Sequence, residues 1–142
     1  MDMEVAREPR EVHRPVAAAV ILLDTNALIW LQQGHARTAR LARSRARLYL
    51  SRASLLEIQF LLEQGRIKLR RNASFSDLQT DNRWLQDDPP SAAWFRQACA
   101  VGWTHDPFDR LLVAHMRLRH WRLATGDAGI VEHLEPDEYI EL

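Results

Sequence analysis

Ala19-Val-Ile-Leu-Leu-Asp-Thr-Asn26 is the stretch on which the fold turns. Five apolar residues in an unbroken run, closed by an acid, describe a strand buried on both faces, because a strand with one wet face would alternate. Such strands belong to parallel sheets, whose neighbours are joined by crossover helices. The next residues supply one: a helix is predicted from Asn26 to Gln33, stopped by Gly34. Outward from there the pattern repeats. An arginine-rich helical stretch covers about residues 37–46, Leu48-Tyr-Leu50 is a second short strand, and Arg52 to Gln64 is strongly helical and closed by Gly65. Helices are expected near 75–83 and 90–100, around Pro89-Pro90. Asp106-Pro107 opens another helix, running to about Arg119, since Asp suits the cap and Pro the first helical position. Trp121 to Thr125 reads as a strand, Gly126 to Gly129 as a turn, and Tyr139 to Leu142 as a short terminal strand. Strands alternating with helices predict a three-layer α/β architecture around a mostly parallel sheet.

With 142 residues, 46% of them hydrophobic, the chain suffices for one domain with a real core, expected over residues 19–142. Residues 1–18 are expected to form a flexible arm, the segment before Pro15 being polar and without apolar period. One cysteine, Cys99, excludes an internal disulfide framework and zinc sites built on Cys pairs, which makes the cytoplasm the expected compartment. No apolar run approaches the roughly 20 residues of a membrane span, so no membrane association is expected. Nineteen bases and nineteen acids cancel overall, which read alone argues against a nucleic-acid partner. Position changes that. From Arg37 to Arg71 ten bases face two acids, and from Gly126 to Leu142 six acids stand without a base. The first block is either a solvated face or a surface for an anionic partner.

In a parallel sheet, sites gather beyond the carboxyl ends of the strands. Four acids fall there: Asp24 after the first strand, Glu57 in the second turn of the helix after strand two, Asp109 in the first turn of the Pro107 helix, and Asp127 after the Trp121–Thr125 strand. Each has a structural explanation of its own. Asp24 and Asp127 suit turns or caps, and Asp109 stands where a capping box begun at Asp106 would end. Helix phase sharpens the choice, at about 100° per residue. Glu57 points away from the polar stripe of Arg52, Gln59, Glu63 and Arg66, and Asp109 shares its face with Leu112, Val113 and Met116. A carboxylate on an apolar face is protonated, paired or bound to a metal. Four of them at one sheet edge repel unless cations sit among them, and oxygen ligands without His or Cys select Mg2+ or Mn2+. Such ions support hydrolysis of a phosphodiester. Thr25, Asn26, Ser54 and Thr125 stand beside the acids as candidate hydrogen-bonding support.

Other chemistries fit less well. An aspartyl-phosphate enzyme favours a second acid two residues after the strand-end Asp, where Asn26 stands, and a receiver-type phosphoacceptor needs a lysine that Lys68 is misplaced to supply. There is no glycine-rich phosphate loop. His35, His105, His115, His120 and His133 show no ligand spacing and are given surface or capping roles.

Four segments, Ile21-Leu-Leu-Asp-Thr-Asn-Ala-Leu-Ile-Trp-Leu31, Leu50-Ser-Arg-Ala-Ser-Leu-Leu-Glu-Ile58, Asp106-Pro-Phe-Asp-Arg-Leu-Leu-Val-Ala114 and Leu123-Ala-Thr-Gly-Asp127, resemble in order the motifs of PIN-domain ribonucleases. Within that family they are most similar to the VapC toxins of toxin–antitoxin pairs. The resemblance implies a five-stranded parallel sheet and a metal-dependent endoribonuclease whose acids map onto Asp24, Glu57, Asp109 and Asp127. It further implies a homodimer, an RNA substrate such as transfer or ribosomal RNA, and a cognate antitoxin that often places a basic residue in the acidic pocket. Asn26 and Thr125 match polar positions beside the family's first and last acids, and Asp106, which recurs in one subgroup, is assigned to the helix cap. The chain departs from the family in its longer arm and over Asn72 to Thr104.

The leading expectation is therefore Mg2+- or Mn2+-dependent hydrolysis of RNA, with Arg37, Arg40, Arg43 and Arg110 as candidate contacts for RNA or antitoxin. Two alternatives stand beside it. One is a PIN-fold binding module without turnover, its acids receiving a basic tail; the other is a metal-dependent DNA nuclease or phosphatase on the same acids.

Overall fold

The computed structural model describes residues 19–142, so the expected arm over residues 1–18 lies outside the described residues. Five strands, β1 (Val20–Leu23), β2 (Arg47–Ser51), β3 (Leu85–Asp87), β4 (Arg122–Thr125) and β5 (Tyr139–Glu141), form one sheet in the order β3-β2-β1-β4-β5. Every neighbouring pair is parallel. The α/β architecture and five strands expected from the sequence are thus both present. The connecting helices are α1 (Thr25–Gln33), α2 (Ala39–Arg43), α3 (Arg52–Glu63), α4 (Phe75–Thr80), α5 (Ser91–Cys99), α6 (Pro107–Arg119) and α7 (Ala128–Val131).

The unbroken apolar run of β1 has the reason inferred for it. Ile21 and Leu23 enter one core with Leu28 of α1 and Leu55 and Ile58 of α3, while Leu22 enters a second core with Leu112, Val113 and Met116 of α6. Leu22 and Leu23 are fully buried. α1 ends as predicted at Gly34, whose φ of 71° is left-handed and open to glycine at little cost. No helix among the described residues is long and apolar enough to cross a membrane.

Four local expectations are corrected. The helix expected over 37–46 is a 3-10 turn (Ala36–Thr38) followed by the short α2. It stops at Ser44, whose backbone is extended and whose hydroxyl donates to the Leu41 carbonyl, competing with the helix for that acceptor. The helix expected over 75–83 ends at Thr80 because Asp81 is extended and grips the Arg83 guanidinium at 2.6 Å. β3, absent from the residue-by-residue reading, has only Leu85-Gln86-Asp87 and no apolar run; its strand character comes from pairing with β2, Ser51 opposite Asp87. Gly126 to Gly129 is not a free turn: Asp127 caps α7 through the Gly129 N–H at 2.8 Å.

Candidate functional site

The chain runs outward from β1 through β2 to β3, then crosses back to β4 on the other side of β1. Connections therefore part company between β1 and β4, and at such a switch point the carboxyl ends of an open parallel sheet leave a crevice. Asp24 follows β1 there, and Asp127 stands two residues after β4.

Asp24 is only 4% exposed. Its Oδ1 accepts the Ala27 N–H at 2.7 Å and caps α1, so its capping role and its place in the site coexist. Burial pushes its carboxyl up to about 6, opposed by hydrogen bonds from Thr125 and Ala27 and reinforced by the charges of Asp127 and Glu57. Thr125 is fully buried, and its hydroxyl oxygen also accepts the Asp127 N–H at 3.0 Å, which ties the two acids through one side chain.

Glu57 is half-buried and takes the Thr25 hydroxyl on Oε1 at 2.5 Å. Thr25 has one hydroxyl proton, so Ser54, 3.1 Å away and buried, donates to it in turn. Burial raises the Glu57 carboxyl above its ordinary value, the Thr25 bond and Arg66 oppose this, and the charge of Asp106 adds to it. Asn26, the remaining candidate support, is exposed and makes no side-chain hydrogen bond with another described residue.

Asp109 does not close a capping box. Asp106 caps α6 by accepting the Phe108 and Asp109 N–H groups at 2.8 and 3.3 Å, but its own N–H goes to the Thr104 hydroxyl at 3.2 Å. In a capping box that N–H would go to Asp109. The Asp109 side chain instead hydrogen-bonds no described residue, and its carboxyl is pushed up to about 7 by burial and by the charges of Asp106, Asp127, Glu57 and Asp24. Asp106 thus acts beyond the cap assigned from the sequence, since its charge reaches both Glu57 and Asp109. The signal for this was Asp-x-x-Asp in one helical turn.

The basic candidates divide. Arg37 stacks over Trp30 at 4.5 Å and donates to the Leu142 carbonyl at 3.0 Å, and a methyl group at Gly126 would stand 3.2 Å from its Nη2. It therefore reaches the loop between Thr125 and Asp127. Arg40 shares a groove with Arg37, Leu41, Arg45 and Ile140. Arg43 is exposed, and Arg110 is anchored by its Nε on the Thr104 carbonyl at 2.7 Å. His115, expected in a surface or capping role, is fully buried beside Trp94 and Trp121 and bonds Asp87 through Nε2 at 2.7 Å.

Among the described residues no three His, Cys, Asp or Glu side chains stand together so that they could hold a metal ion as they are placed. The donor set still fits a hard divalent cation. It is all oxygen: the charges of Asp127 and Glu57 raise the Asp24 carboxyl, those of Asp106, Asp127, Glu57 and Asp24 raise that of Asp109, and no neutralising base stands in hydrogen-bond contact with them among the described residues.

A five-stranded parallel sheet of this order, with acids beyond its strand ends, defines the class as an open α/β fold with its crevice at the switch point. The chain belongs to the PIN domain family, whose model matches residues 21–133. Among solved structures it is similar to FitAB bound to an IR36 DNA fragment, at 23% identity and a TM-score of 0.52, covering 81% of this chain and 97% of that one. It is also similar to FitAcB from Neisseria gonorrhoeae, at 24% identity and a TM-score of 0.49, covering 78% of this chain and 89% of that one. No curated protein matches.

Proposed function

We propose that this PIN-domain chain is a metal-dependent endoribonuclease and the toxin of a toxin–antitoxin pair. The observation that carries the reading is Asp109, a half-buried carboxylate without a hydrogen-bond partner among the described residues, raised to about 7 by burial and by four other acids. A carboxylate so placed is stabilised when a cation joins it. In this reading Asp24, Glu57, Asp109 and Asp127 hold Mg2+ or Mn2+. A bound ion of this kind lowers the pKa of its water and offsets charge on a phosphodiester under attack. Thr25 and Thr125 orient Glu57 and Asp24, Ser54 fixes Thr25, and Arg37 offers the RNA backbone a cation held in place by Trp30. The toxin role rests on the four motif segments around these acids. Leu56, Phe60 and Phe95 are about half exposed on α3 and α5, an apolar surface that suits a homodimer, while the acidic site suits a basic side chain of an antitoxin.

Transfer RNA, ribosomal RNA, DNA and a phosphomonoester, each incubated with Mg2+, Mn2+ or excess EDTA, test the reading. RNA alone is expected to be cut, only with metal, and Asp109→Asn is expected to lower the rate by about 100-fold or more. Full activity in EDTA, or in Asp109→Asn, overturns it. Cleavage of DNA or the phosphomonoester alone moves the function to those substrates, and a tight basic-tailed partner without any cleavage makes the chain a binding module.

A further inference from the structure

Two consecutive acids at the end of the edge strand, Asp87 and Asp88, lie outside the acidic site, yet each holds one of the helices that serve it. Asp88 takes the first residue of α3 twice: Oδ1 accepts the Arg52 N–H at 3.2 Å and Oδ2 accepts the Arg52 guanidinium at 2.6 Å. The N–H groups of a first helical turn have no partner within the helix, and a carboxylate there also suits the helix dipole. Asp87 takes α6 at two points one turn apart. His115 donates from Nε2 at 2.7 Å, and Arg119 donates from Nε at 2.9 Å and Nη2 at 3.1 Å. Arg119 also donates to the Asp88 carbonyl at 3.0 Å, which joins the two halves.

The His115 ring is fully buried, 5.4 Å from Trp94 and 5.8 Å from Trp121, and its Nδ1 meets no partner among the described residues. The proton therefore sits on Nε2, facing Asp87, and a neutral ring is held in one orientation. Pro89 and Pro90 follow Asp88 directly and stiffen the exit to α5.

Partly buried ion pairs add little net stability, since desolvation offsets most of their attraction; what they add is a defined geometry. That geometry ends on the two helices carrying Glu57, five residues after Arg52, and Asp109, six before His115.

We infer that Asp87 and Asp88 are positioning residues: they bind the start of α3 and the end of α6 to one strand end and so set the separation of Glu57 from Asp109. This rests on reading those two acids as ligands of a common ion. The test is Mn2+ uptake by the full chain, followed by loss of the free-ion electron spin resonance signal, which needs no turnover. Asp87→Asn changes charge and fold together, so the deciding variants are Arg52→Lys and Arg119→Lys, which keep every charge but replace the guanidinium contacts, one-point for Arg52 and two-point for Arg119. Arg83→Lys, which alters an equally short pair with Asp81 between α4 and β3, is the control. Each of the two deciding variants is expected to bind Mn2+ about tenfold more weakly with its circular dichroism unchanged, and Arg83→Lys as tightly as the parent chain. Wild-type Mn2+ affinity in Arg52→Lys and Arg119→Lys, even with a lowered melting temperature, reduces the network to a brace and overturns the inference alone. If the unaltered chain takes up no Mn2+, the reading of the acidic site fails first and the inference falls with it.

Discussion

Replacing Asp24 by Asn should make the metal-free protein more stable, by an amount that depends on pH in a defined direction. An acid whose carboxyl is raised on folding binds more protons folded than unfolded, so stability falls as pH rises between the two values. For Asp24 these are 3.8 and about 6. The penalty is absent below the first, grows between them and is complete above the second, where the difference corresponds to about 3 kcal/mol. Asn keeps the acceptor that caps α1 through the Ala27 N–H, so little is lost against this gain. The expected rise in melting temperature at pH 8 in EDTA is roughly 5–10 °C for a chain of this size, shrinking toward zero near pH 4. The comparison must be between variant and parent at each pH, because His115 bends the parent curve the other way. Burial lowers its pKa from 6.5 despite Asp87, so its contribution to stability is lost as pH falls below 6.5. Saturating Mg2+ should then narrow the gap from the parent's side, since an ion at about 100 times its Kd stabilises by about 2.7 kcal/mol. Thermal unfolding followed by tryptophan emission across pH 4–8, with EDTA or Mg2+, measures all of this. A variant no more stable than the parent at pH 8, or equally stabilised at pH 4 and pH 8, refutes the electrostatic account of the site.

Gly126→Ala should destabilise and also disarm the chain. The new methyl would sit 2.8 Å from the Trp30 ring and 3.2 Å from Arg37 Nη2, so both must shift at a cost of about 1–3 kcal/mol, read by denaturant unfolding, with RNA affinity falling as Arg37 moves. Charge reversal at Arg40 and Arg43 together should weaken RNA binding and flatten its dependence on salt, by about two phosphate contacts in the slope of log affinity against log salt if both bases contact the strand. An unchanged slope would leave these exposed side chains as solvated surface.

The acids were legible in the sequence because their positions break a pattern. Asp24 ends an apolar run, and Glu57 and Asp109 interrupt the apolar faces of their helices; a local rule broken in this way marks a candidate site. The strand order that brings them to one crevice was legible only as a class of fold. β3 escaped because three residues carry no period, and what makes Leu85–Asp87 a strand is the backbone of β2 beside it. His115 escaped for a different reason. A histidine on an apolar helix face has several explanations, and the partner that decides among them, Asp87, lies 28 residues away. The same distance hid the network of Asp87 and Asp88, which single-residue reading resolves only into surface charge.

Asp24 and Asp109 together show what the hydroxyl and backbone donors do. Asp24 is nearly inaccessible and Asp109 half-buried, so desolvation alone would raise Asp24 further. The order is reversed, about 6 against about 7. Asp24 receives hydrogen bonds from Ala27 and Thr125 that favour its charged form, whereas Asp109 receives none from a described residue and faces four acids. In the proposed metal site the charged form of Asp24 is therefore favoured over that of Asp109. On that reading binding favours loss of the Asp109 proton, because a metal ion or an arginine from a partner stabilises the carboxylate in either case. Thr125 and the α1 cap thus favour the charged form of Asp24, whereas Asp109 lacks such donors among the described residues and, on the proposed reading, has its charge completed by the ligand. Zero net charge over the whole chain is compatible with this, since the charges that matter are those that burial and neighbours leave without a counterion.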